Sequence, residues 1–104
     1  MGKSLMEDLV IEKLMTVYDP EVPVNIWELG LVYGIEFPKK DEVIVTMTLT
    51  APGCPIADQI VQEVHDVVMT IDGIEEATVN LVFDPPWGPE RMSEVAKLEL
   101  GFGI

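Results

Sequence analysis

Cysteine is almost missing from this chain: Cys54 is the single one. One thiol closes no internal disulfide, so the usual mark of a secreted protein is lacking. It forms no C-x-x-C redox pair and has no second cysteine to resolve a sulfenic acid. Histidine is equally scarce, with His65 alone. Zinc patterns need several Cys or His ligands and are excluded. Basic residues number 6 against 19 acidic ones, for a net charge of −13. Such a surface repels phosphate backbones, so neither nucleic acid nor an anionic membrane is an expected partner. Metal cations and basic protein surfaces fit better, and a plain solvated surface explains the charge equally well. No apolar run approaches the roughly 20 residues of a membrane span. The start, "MGKSLMED", shows no apolar signal region before Glu7 and Asp8. No glycine-rich phosphate loop is present. A cytoplasmic protein is expected.

What is present reads as one domain over residues 1–104. Ser4 followed by Glu7 has the form of a capping box. Leu5, Leu9, Val10, Leu14 and Val17 then recur at helical spacing, and Asp19-Pro20 should end that helix. "DPEVPVN" is a loop, and "IWELG" a short turn closing at Gly30. Three strands follow by period-two alternation. Leu31, Tyr33, Ile35 and Phe37 share a face in the first. Val43, Val45, Met47 and Leu49 share one in the second, opposite Thr46, Thr48 and Thr50. Ala77, Val79, Leu81 and Phe83 share one in the third. The short polar "PKKDE" joins the first two as an antiparallel hairpin. A second helix, roughly 55–71, carries the stripe Ile56, Ile60, Val61, Val64, Val67, Val68 and Ile71. "DPPWGPERM" is a stiff loop before a last helix capped by Ser93 and followed by Gly101. The order α-β-β-α-β predicts an α+β fold: two layers, with a small mixed sheet and helices on one face.

The stretch "TAPGCP" places Cys54 where a strand pattern yields to a helix pattern. Pro55 suits the first helical turn, so Cys54 falls at or beside the N-cap, where backbone N–H groups and the helix dipole favour a thiolate. Gly53 allows close approach to the backbone. Asp58, four residues on, opposes the thiolate. A small buried residue filling a corner is the plainer account. A protease-type nucleophile needs a histidine base, yet His65 lies eleven residues along the same helix, roughly 16 Å away at about 1.5 Å per residue. Ordinary solvent exposure is expected of it.

Carboxylates remain. Asp19 and Glu21 flank Pro20, and Asp84 closes the third strand; turn chemistry accounts for them as readily as function does. One thiolate with oxygen ligands is a poor structural metal site, whereas a thiolate shared by two copies or offered to a client serves as a transient one. Trp87 of "DPPW" fits either the core or an interface anchor.

"DPEVPVNIWELGLVYGIEF", "MTLTAPGCP" and "VFDPPWGPERMSEVAKLELG" resemble, in order and spacing, the SufT-like metal–sulfur cluster biosynthesis family. That family is related to the phenylacetate-degradation protein PaaD and to the eukaryotic cytosolic iron–sulfur targeting factor. The resemblance runs from about Tyr18 to Gly101. It implies a fold like the NifU C-terminal domain, and a non-enzymatic role in iron–sulfur protein maturation. The site it implies is Cys54 between Gly53 and Pro55, with Asp19, Glu21, Asn25, Thr48, Thr50, Asp84 and Trp87 around it. PaaD-like members carry additional C-terminal cysteines; this chain ends "LELGFGI" without them.

The expectation is therefore a cluster assembly factor acting through Cys54, with a transient iron–sulfur cluster as cargo. Its partners would be apo-client proteins and the assembly machinery. A homodimer would let two Cys54 thiolates bridge one cluster. The rival is an adaptor that docks clients through the 19–25 and 84–91 loops, with Cys54 structural. A thiol enzyme would need a base from outside the chain.

Overall fold

Alternation in the second strand decides the architecture, because it leaves Val43, Val45 and Met47 fully buried on one face. The structure is a computed structural model and describes residues 2–19, 24–49 and 57–101. Strand β2 (Glu42–Met47) is central, antiparallel to β1 (Val32–Lys39) and parallel to β3 (Glu76–Leu81). A parallel neighbour requires a crossover, and helix α2 (Ala57–Met69) supplies it. Ile60, Val64 and Val68 recur every four residues and are buried. Helix α1 (Gly2–Leu14) packs beside α2 and adds Val10 and Leu14 to the same core. Each buried Val, Leu or Met contributes about 1.5–3 kcal/mol. Slipping β2 by one residue would expose all three of its buried side chains, forfeiting roughly 5–9 kcal/mol. That rivals a domain's entire stability of about 5–15 kcal/mol, so the register is fixed.

The chain finishes as the capping chemistry predicts. Helix α3 (Glu94–Leu100) starts where Ser93 Oγ accepts a hydrogen bond from Ala96 N at 3.1 Å. It ends at Gly101, whose φ of 83° is the left-handed geometry of a C-cap. A 3-10 turn, Pro89–Arg91, precedes it.

Several expectations give way to longer-range contacts. Helix α1 already runs from Gly2, so Ser4 lies inside it and is not its N-cap. Leu5 is 64% exposed, and Met6 takes its place against the core. The helix ends at Leu14 rather than at Asp19. There Thr16 Oγ1 donates to the Lys13 carbonyl at 2.6 Å, and the amides of Thr16 and Val17 reach back only three residues. In β1 the common face of Leu31, Tyr33, Ile35 and Phe37 is broken by a bulge. Val32 pairs with Met47 and Gly34 with Thr46, which makes Tyr33 the extra residue. Val32, not Tyr33, therefore joins Ile35 and Phe37 against the core. Thr48, expected on the open face with Thr46, is buried because β2 has ended and its amide turns to Leu31. Phe83 lies past β3 and is 43% exposed.

Gly30 is tightly enclosed. Its φ is +77°, and an added Cβ would collide with the Arg91 carbonyl oxygen. Left-handed backbone costs a residue with a Cβ about 1–2 kcal/mol, and overpacking about 1–3 kcal/mol more. Urea denaturation of Gly30→Ala should thus show a loss of roughly 2–5 kcal/mol. Gly34→Ala, where a Cβ meets nothing within 4 Å, should stay within about 0.5 kcal/mol of the parent.

Candidate functional site

Residues 24–31 form a turn whose own backbone is gripped by four separate parts of the chain. Inside the turn, Asn25 Oδ1 accepts from Glu28 N at 2.9 Å, the short-range bonding that makes asparagine a turn former. The amides of Leu29, Gly30 and Leu31 bond back to the carbonyls of Asn25, Trp27 and Ile26. From outside, Ile26 N donates to Val17 O at 2.8 Å, which ties the turn to the exit of α1. Thr48 N donates to Leu31 O at 2.8 Å, from the exit of β2. Trp87 Nε1 donates to Leu29 O at 2.7 Å, from the DPPW loop. Ser93 N donates to Glu28 O at 2.8 Å, from the cap of α3. All three sequence motifs that carried the resemblance are thus bonded to one turn.

The proposed site residues fall into four groups. Asn25, Thr48 and Trp87 are held on the turn itself. Asp19 is buried beside it, next to the Tyr18–Asn25 bridge that closes the base of the "DPEVPVN" loop. Asp84 is exposed and is not drawn into this set. Glu21, Thr50, Gly53, Cys54 and Pro55 lie outside the described residues. Trp87 is half-buried, packs against the core and spends its indole N–H within the chain, so its first duty is structural. Among the described residues no group of three Cys, His, Asp or Glu side chains could hold a metal ion.

His65 sits on the outer side of α2, its side chain 41% exposed, with Nδ1 3.2 Å from Asp66 Oδ1. Hydrogen bonds from His65 and then Gln62 hold the Asp66 carboxyl below its ordinary range. This is helix-surface chemistry. No described helix is long and apolar enough to cross a membrane.

With this geometry in place, comparison with known proteins is direct. The model of the iron–sulfur cluster assembly protein family matches residues 7–81, and the chain belongs to that family. It is 47% identical over 96 residues to a Porphyromonas gingivalis protein named "Fe-S protein maturation auxiliary factor", spanning 92% of this chain and 91% of that one. It is 42% identical over 85 residues to the Staphylococcus aureus "Fe-S protein maturation auxiliary factor SufT", across 82% of this chain and 97% of that protein. The crystal structure of a "domain of unknown function" from Bacillus anthracis superposes with a TM-score of 0.88 at 41% identity, over 94% of this chain and 93% of that one. The resemblance read from the motifs holds.

The motif reading passed over Leu29, Tyr33 and Arg91. Leu29 and Glu28 hold Trp87 and Ser93 through their carbonyls, which no side-chain pattern announces. Arg91 did leave a signal, being the only arginine in the chain. Its guanidinium lies over the Tyr33 ring, 4.6 Å from the centroid.

Removing a donor from a half-buried carbonyl costs about 1–3 kcal/mol. Trp87→Phe should therefore lower the unfolding free energy by about 1–2 kcal/mol, and Asn25→Ala by about 1 kcal/mol. Because both act on one turn, the double variant should depart from additivity by more than about 0.5 kcal/mol in chemical denaturation.

Proposed function

We infer that this chain is an iron–sulfur protein maturation factor, not an enzyme, that hands iron or a cluster to apo-proteins through Cys54. The observation that carries this reading is the family match over residues 7–81, which spans Asp19, Asn25, Thr48 and Cys54. Near-full-length likeness to proteins named as maturation factors supports it further.

The chemistry follows from one thiolate. Cluster iron takes cysteine thiolates as ligands, commonly four per cluster. A chain with one cysteine supplies one of them and leaves the remainder to a second copy or to the client. Transfer is then ligand exchange: a client thiolate displaces the Cys54 thiolate from iron, and no electrons change hands. Weak holding suits a delivery role, since a chain with four thiolates would keep its cargo. The turn at 24–31 and the buried Thr48 fix the exit of β2, upstream of Cys54 in the sequence. Asp19 and Glu21, on the acidic loop, would bias the neighbourhood toward cations.

The adaptor alternative assigned Trp87 an exposed anchoring role, and its intramolecular bond to Leu29 argues against that assignment. An adaptor that uses other surfaces remains compatible with the fold.

Anaerobic reconstitution with ferrous iron and sulfide tests the carrier reading. The parent chain should acquire cluster absorption and lose it on adding an apo-protein that gains activity in step. Cys54→Ser should bind less than about a tenth as much iron, and its denaturation curve should match the parent's. Equal cluster content in the two proteins would overturn the role of the thiol. No cluster in either would leave the adaptor.

A further inference from the structure

The sheet has an open edge that cluster handling does not use. Strand β1 pairs with β2 alone, so among the described residues its outer edge keeps unpaired N–H and C=O groups. A cleft of about 240 Å³ follows this edge, with residues 32–35 along one wall and Glu7, Ile11 and Trp27 along the other. Successive strand residues point to opposite faces. Val32 to Ile35 nevertheless all line this cleft, across the bulge at Tyr33. A second, larger cavity of about 480 Å³, lined by Gly30, Pro85 and Arg91, shares Val32 and Tyr33 with it.

Arg91 gives this groove its chemistry. The chain has 19 acidic residues, yet among the described residues this arginine pairs with no carboxylate. It stacks instead on Tyr33, whose hydroxyl donates to Pro85 O at 2.9 Å and is thereby fixed. Stacking orients the guanidinium plane, and the side chain that carries its N–H fork lines the cavity. That fork matches a carboxylate with two parallel hydrogen bonds.

The rest of the sheet margin is unsuited to the same use. Beyond Glu36 the β1 edge is distorted by a second bulge, and Pro38 has no N–H to offer. The outer edge of β3 begins at exposed Glu75 and Glu76, which repel an acidic segment. We propose that residues 32–36 receive an extended segment of a partner protein as an added strand, with a carboxylate of that segment held by Arg91. Backbone pairing supplies the affinity and the arginine sets the register. This surface needs no contribution from Cys54.

The test titrates the full chain with three acetylated valine–threonine peptides of equal length. One is amidated with an internal glutamate, one ends in a free carboxylate, and one is amidated and uncharged. Amide NMR signals of residues 32–36 should move with at least one carboxylate peptide, bound about tenfold more tightly than the uncharged one. Which of the two it is separates a side-chain from a terminal carboxylate. Arg91→Gln should abolish that preference while the chain still unfolds in one cooperative urea transition, and Arg91→Lys should restore only part of it. Cys54→Ser should bind as the parent does, so failure of the cluster-carrying reading leaves this result intact. Equal affinity for the uncharged peptide, unchanged preference in Arg91→Gln, shifts confined to residues 76–81, or no shift with any peptide would each overturn the proposal.

Discussion

The turn at residues 24–31 is the constraint on which the remainder of the molecule depends. Its carbonyls at Glu28, Leu29 and Leu31 accept from Ser93, Trp87 and Thr48, and its Ile26 amide donates to Val17. Val17 follows α1, Thr48 follows β2, Trp87 lies in the DPPW loop and Ser93 caps α3. The sheet and helices could form a two-layer core by apolar burial alone, but burial is non-directional. The relative placement of the exit of α1, the exit of β2, the DPPW loop and the cap of α3 comes from directional bonds to one eight-residue stretch. Gly30 completes the arrangement, because only a residue without Cβ lets the Arg91 carbonyl lie against it.

This explains why the three motifs are what they are. Asn25 and Gly30 shape the turn, Trp87 caps one of its carbonyls, and Thr48 docks the end of β2 on another. These residues look functional in the sequence because they are polar or aromatic and sit in loops. In the structure each makes a bond that positions the turn or is positioned by it. The proposed chemistry rests on Cys54, and the Tyr33–Arg91 pair lines a cavity at the β1 edge.

Legibility followed the range of the forces involved. The alternation of Val43, Val45 and Met47 and the stripe of Ile60, Val64 and Val68 were readable, since each reports a single periodic face. Ser93 and Gly101 were readable because capping is settled within a few residues. Ser4 and Glu7 had the same local form, yet α1 begins upstream of them, so the motif there was coincidence. The bulge at Tyr33 was not readable. One extra residue is decided by cross-strand register with Thr46 and by the anchor on Pro85, fifty-two positions away. Burial of Thr48 likewise depends on the Leu31 carbonyl, which has no side-chain signature. Sulfur chemistry at Cys54 was inferred from its motif, and family membership is what stands behind it.

Native-state hydrogen exchange tests most directly whether one turn organises the whole. The amides of Ile26, Glu28, Thr48 and Ser93 should exchange with a common free energy equal to that of global unfolding, alongside Val45 in the buried strand. If Thr48 or Ser93 instead exchanges through local opening while Ile26 and Val45 stay protected, the parts are held independently and the account fails.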